Sequence, residues 1–144
     1  MIDEPALIAQ EECFARAFAA GDLTLARALY HPEVVYLSPT VRLFGWPARI
    51  EGAERTLEFI GLTIRHLETI AYRAVEWAIV PGGQAAFVRI HFDFTRAGQR
   101  LRSEYVVVYR YRDRLIGQQE LYYDPSGRLE EVEQTPRPSA CHRP

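Results

Sequence analysis

Arg89, His91 and Asp93 occupy alternate positions in one stretch of this 144-residue chain, and Arg102 and Glu104 do so in the next. Imidazole titrates near neutrality, and a carboxylate facing it fixes its tautomer. Such a pair can remove a proton beside a carbonyl or hydroxyl, or deliver one to a leaving group. A guanidinium in reach, here Arg89, stabilises a developing enolate. These groups meet only if the two stretches are paired strands in one particular register.

Turn chemistry supplies that register. Ala97-Gly98 reads as a two-residue hairpin loop, which sets Asp93 opposite Arg102, His91 opposite Glu104 and Arg89 opposite Val106. Asp113-Arg114 as a second such loop sets Val106 opposite Leu121 and Glu104 opposite Tyr123. Alternation then sorts the faces. One carries Arg89, His91, Asp93, Arg102, Glu104, Gln119 and Tyr123. The other carries Val88, Ile90, Phe92, Phe94, Leu101, Tyr105, Val107 and Tyr109. A slip of one residue in either turn breaks the segregation. Two arrangements stay open at this point. Either the apolar face packs on helices and the polar face meets water, or the polar face lines a pocket and the apolar face turns outward.

The helices come first in the chain. Asp3-Glu4-Pro5 is a capping acid followed by a first-turn proline, and Leu7, Phe14 and Phe18 recur at helical spacing until Gly21. Asp22 caps a second, short helix that stops at His31-Pro32. Val34 to Ser38 reads as a strand, followed by a loop carrying Phe44 and Trp46. A third helix covers Ala53 to Ile64. Four strand-like runs follow, at Thr69 to Val80, Ala86 to Thr95, Leu101 to Arg112 and Ile116 to Asp124. The fold class is α+β: a cone-shaped, curved antiparallel sheet wrapped around three N-terminal helices, with a pocket at its mouth. Residues 1–129 form one domain, and 130–144 read as a flexible, Pro-rich tail.

Composition narrows the function. Seventeen basic residues against nineteen acidic ones give a net charge of -2, which argues against nucleic-acid binding. All seventeen are arginine, since the chain contains no lysine, so Schiff-base chemistry and a Walker-type phosphate loop are excluded. No apolar run approaches a membrane span, and no cofactor or metal motif is present. Cys13 and Cys141 are far apart, which fits a reducing, cytoplasmic setting rather than a disulfide framework.

Ala19-Ala20-Gly21-Asp22-Leu23, with Ala28-Leu29-Tyr30-His31-Pro32 and Val34-Val35-Tyr36, resembles the helix-helix-strand opening of SnoaL-like domains. These belong to the nuclear transport factor 2-like superfamily. Leu115-Ile116-Gly117 to Tyr122-Tyr123-Asp124 is similar to that family's last strand. The resemblance implies that the polar face lines the pocket. Arg89-Ile90-His91 lies where limonene-type epoxide hydrolases carry an Arg-x-Asp pair, and Glu104 near the oxyanion-binding acid of ketosteroid isomerases. Tyr36 matches the hydrolases' water-positioning tyrosine. The departures are Ser38 and Leu121, which replace polar or acidic site members, and Phe14, which stands where the isomerases have an oxyanion tyrosine. Neither mechanism carries over intact.

The resulting expectation is a catalytic group of His91, Glu104 and Arg89. Tyr36, Ser38, Asp93, Gln119, Leu121, Tyr123, Phe14 and Trp46 would surround a polyketide-, steroid- or terpenoid-like ligand. The protein would be either a cofactor-independent acid/base enzyme (isomerase, dehydratase, cyclase or epoxide hydrolase type) or a non-catalytic ligand-binding or dimerising accessory protein. Turning the apolar face outward implies a homodimer through Ile90, Phe92, Tyr105 and Val107.

Overall fold

The structure is a computed structural model and describes residues 1–124 and 130–131. Helix α1 spans Glu4–Ala20, with the Asp3 carboxylate accepting from Ala6 N at 3.0 Å and Gly21 closing the helix at φ 68°. A short 3-10 helix, Leu23–Leu29, follows with Asp22 as its cap, and leads directly into strand β1, Tyr30–Leu37. The loop expected around Phe44 and Trp46 contains a second 3-10 helix, Pro39–Phe44, and a short strand β2, Arg49–Glu51. Helix α2 spans Ala53–Ile64 and buries Leu57, Phe59, Ile60 and Ile64. Four long strands complete the sheet: β3 Thr69–Ile79, β4 Ala85–Arg96, β5 Gln99–Arg112 and β6 Leu115–Tyr123. Of the expected tail, Glu130–Glu131 form strand β7 on β5; its other residues, Cys141 included, lie outside the described set.

The strand order is β2-β1-β6-β5-β4-β3, an unclosed, curved sheet. The sheet is not wholly antiparallel, because β1 runs parallel to β6. That pairing follows from the long crossover between the two strands, since only a hairpin forces neighbours to run antiparallel. Helix α1 lies against β3 and α2 against β1. The middle strands therefore arch over the space between the helices.

The β4–β5 hairpin has the register derived from its turn: Asp93 pairs Arg102, His91 pairs Glu104 and Arg89 pairs Val106. The β5–β6 register differs by one residue, with Val107 opposite Leu121 and Tyr105 opposite Tyr123. The turn itself is as expected, with Asp113 and Arg114 both left-handed at φ 52° and 67°. The shift arises just beyond it, where Arg110 pairs Gln118 and Tyr111 pairs Ile116, leaving Gly117 as an extra residue. A Cβ at position 117 would come within 2.9 Å of the Arg112 Cβ, so glycine is what lets the bulge close.

That shift moves Gln119, Leu121 and Tyr123 to the face of Tyr105, Val107 and Tyr109. This face points inward. Val88, Ile90, Val107 and Tyr109 are almost fully buried beneath the helices. Arg89, His91, Asp93, Arg102 and Glu104 occupy the convex side instead. The expected orientation is thus reversed for β4 and β5, and energetics gives the reason. Burying a large apolar side chain gains about 1.5–3 kcal/mol, whereas taking an ion out of water costs several kcal/mol even when it is paired. The homodimer expected through Ile90, Phe92, Tyr105 and Val107 loses its surface, because those four side chains belong to the interior.

Gly117→Ala should cost roughly 1–3 kcal/mol, the usual range for forced overpacking. A lowered urea midpoint at unchanged slope checks this; an unchanged midpoint would mean that the bulge does not depend on glycine.

Candidate active site

Between the helices and the arch of the sheet lies a cavity of about 370 Å³. Phe14 and Phe18 from α1, Tyr72 from β3, Phe92 and Phe94 from β4, and Tyr105 and Val107 from β5 form most of its wall. Tyr30 and Tyr36 from β1 and Gln119, Leu121 and Tyr123 from β6 close one side, and Ile60 and Ile64 from α2 another. At the open end, Leu43 and Phe44 are 80% and 40% exposed, and Arg96 is exposed beside them.

The aromatic lining is interlocked. Phe18 stacks on Tyr72 at 5.0 Å and meets Phe92 edge-on at 5.1 Å, while Tyr105 and Tyr123 lie 5.0 Å apart. Offset and edge-to-face contacts of this kind hold rings in fixed orientations. Polar atoms are few. The Tyr30 hydroxyl donates to Gln119 Oε1 at 2.6 Å. The Ser38 and Thr40 hydroxyls lie 2.8 Å apart, and Ser38 is within hydrogen-bonding reach of both Tyr36 and Tyr123. Burial pushes the phenols of Tyr30, Tyr36, Tyr105 and Tyr123 above the ordinary tyrosine range. They stay neutral and act as hydrogen-bond donors, not bases. Among the described residues, the lining contains no histidine, aspartate or glutamate.

Of the residues expected at the site, Phe14, Tyr36, Gln119, Leu121 and Tyr123 line the cavity, and Ser38 reaches its hydroxyls. Trp46 does not line it; its indole packs 5.2 Å from the Phe59 ring with the Arg55 guanidinium 4.4 Å from its own ring. His91, Glu104, Arg89 and Asp93 form a convex strip outside the cavity. His91 Nε2 lies 2.8 Å from Glu104 Oε1, a close ionic approach that is not aligned as a hydrogen bond. Arg89 Nη2 donates to the same oxygen at 2.9 Å, and Arg89 also approaches Glu76 at 3.5 Å. Arg102 grips Asp93 through two bonds of 2.7 and 3.0 Å and holds its carboxyl below the usual range. Among the described residues, no three His, Cys, Asp or Glu side chains gather to hold a metal.

Glu11 is the ionisable group that sequence reasoning missed. It is 6% exposed on the inward stripe of α1. Its Oε1 accepts from the Tyr72 hydroxyl at 2.6 Å and its Oε2 from Gln10 Nε2 at 3.0 Å. Gln10 in turn accepts from Tyr111 at 2.9 Å. A signal was available, because Glu11 follows Leu7 by four residues and precedes Phe14 by three, placing a carboxylate on an otherwise apolar helix face. Burial pushes its carboxyl above the ordinary 4.5, against the opposing pull of the Tyr72, Gln10 and Tyr109 hydrogen bonds. The folded state therefore holds this proton more tightly than the unfolded chain does. The corresponding stability is complete below the ordinary carboxylate range and is lost as pH rises through the elevated folded value. Denaturation curves across pH should show wild-type stability falling in that window relative to Glu11→Gln. Parallel pH profiles for the two proteins would contradict the assignment.

Known proteins of related structure fit this architecture. A putative isomerase from Bacillus subtilis superposes with a TM-score of 0.69 at 19% identity, covering 83% of this chain and 86% of its own. TsrD from Streptomyces laurentii gives 0.70 at 20% identity, with coverages of 88% and 94%. An epoxide hydrolase of the limonene type from M. tuberculosis gives 0.62 at 19% identity, covering 81% of each chain. At these identities the likeness speaks for the fold alone. No curated protein matches the sequence. The family model for the SnoaL-like domain matches residues 11–118, from the middle of α1 to the first half of β6. The chain belongs to the SnoaL-like domain family.

Proposed function

We propose that this protein binds a small, largely apolar organic molecule bearing a carbonyl or hydroxyl oxygen, of polyketide-, steroid- or terpenoid-like character, inside the cone. The observation that carries the reading is the composition of the cavity wall: mostly aromatic and aliphatic side chains surround about 370 Å³, with neutral hydroxyls spread along it and one carboxamide, Gln119, on β6. A few placed polar groups in an apolar hollow of this size orient a ligand without having to neutralise it.

A second reading, a cofactor-independent isomerase, cyclase, dehydratase or epoxide hydrolase, rests on the same tyrosines. A neutral phenol held by its neighbours can donate to an oxygen on which charge develops. The cavity wall offers no side chain to abstract a proton, so this reading suits reactions driven by polarising an oxygen. The His91–Glu104–Arg89 group expected to do acid/base work stands outside the cavity and has no part in either reading.

Calorimetric titration with a polycyclic aromatic ketone and a steroid ketone tests the proposal. Ser103→Phe, which puts a ring into the wall, should abolish binding. Tyr36→Phe should weaken it by about fivefold, the worth of one neutral hydrogen bond. His91→Ala should leave it unchanged. Binding that survives Ser103→Phe but is lost in His91→Ala would place the ligand on the convex face and overturn the reading. Turnover of either ketone that disappears with Tyr36→Phe would favour the enzymatic alternative.

A further inference from the structure

Among the described residues, Arg96 is the one formally charged side chain that lines the cavity. Its position follows from strand alternation: Phe92, Phe94 and Arg96 share the concave face of β4, while Asp93 and Thr95 point the other way. Phe94 continues the apolar wall inward, and Leu43 and Phe44 flank the same opening. The guanidinium thus stands where the cavity meets water, at the end of an apolar surface.

Among the described residues, no carboxylate forms an ion pair with Arg96. This sets it apart from three arginines of the convex face. Arg89 is committed to Glu104 and Glu76, Arg102 to Asp93, and Arg110 to Glu120. Glu68 is joined to the neighbouring Thr95 through its backbone, but its Oε1 accepts from Gly98 N at 3.1 Å. A cation with no carboxylate partner among the described residues, standing on the rim of a low-dielectric hollow, focuses its field into the opening. The hydroxyl groups of Tyr30, Tyr36 and Tyr123 are neutral and supply no countercharge to an anionic ligand.

We infer that the ligand is a carboxylate-bearing molecule whose apolar body fills the cone and whose anionic group pairs with Arg96 at the mouth. This rests on the cavity being the binding site and adds a charge requirement to it. The interior hydroxyls then meet a neutral oxygen on the buried end, so the ligand is polar at both ends and apolar between them. Arginine suits this task because its planar fork matches a carboxylate with two parallel hydrogen bonds and keeps its charge at every relevant pH. Solvent screening at the rim keeps the gain modest.

The test compares naphthalene carboxylate with its neutral carboxamide, two flat bodies of nearly equal size, at neutral pH and low salt. The wild-type protein should bind the carboxylate about fivefold more tightly, the upper range for an exposed ion pair. That preference should vanish in Arg96→Gln, persist in Arg96→Lys at reduced strength, and shrink with added salt, while carboxamide affinity stays constant throughout. Equal binding of the two compounds, or a preference that survives Arg96→Gln, overturns the charge requirement and leaves the cavity reading standing. Failure of both compounds to bind, together with failure of the ketone titrations, overturns the two together.

Discussion

The sheet has one face that can be removed from water cheaply and one that cannot, and this asymmetry organises the molecule. Ile90, Val107 and Tyr109 lie against the helices, while Arg89, Asp93, Arg102 and Glu104 stay on the convex side in mutual ion pairs. Reversing the sheet would bury five ionisable groups and expose a band of aromatic rings. The cavity exists because the two main helices, packed on β3 and β1, do not meet across the full breadth of that apolar face. What remains between them is a hollow walled by the same residues that drive folding. Candidate site and core are therefore one surface.

Chemistry inside such a hollow is constrained by the same burial. Burial disfavours ionisation of tyrosine hydroxyls deep in an apolar wall, so they serve as neutral donors; that of Tyr30 is directed by Gln119, and those of Tyr36 and Tyr123 lie near the Ser38 hydroxyl. Glu11 shows the alternative. Its carboxyl sits behind the wall with Tyr72 between it and the cavity, and burial answers by holding the proton on. Among the described residues, the one permanent charge facing the cavity is that of the exposed Arg96.

Much of this architecture is legible in the residues. The helix starts at Asp3 and Asp22, the stop at Gly21, the third helix and four long strands all follow from capping, periodicity and turn residues. The pairing of His91 with Glu104 follows from a two-residue turn alone. The β5–β6 pairing did not, because a glycine inside a strand signals a bulge and Gly117 was read only as part of the strand. That single residue decides on which face Gln119, Leu121 and Tyr123 sit. With the bulge in place, these three join the apolar rings and no longer accompany the charged strip. Resemblance points that strip inward, whereas transfer energetics favours the convex side, where the strip lies. Phe14, Tyr36, Gln119, Leu121 and Tyr123 still reach the cavity; Trp46 packs elsewhere because β2 and its preceding turn, unseen in the sequence, carry it onto Phe59.

Intermolecular nuclear Overhauser effects from a bound aromatic ketone would report most directly which face holds the ligand. Cross-peaks from the ligand to the ring protons of Phe14, Tyr36 and Tyr105 and the methyls of Leu121, with none to the His91 imidazole, are the expected pattern. Cross-peaks to His91 and the Val106 methyls, with the interior rings silent, would mean that the charged outer strip, and not the hollow, is where this protein meets its ligand.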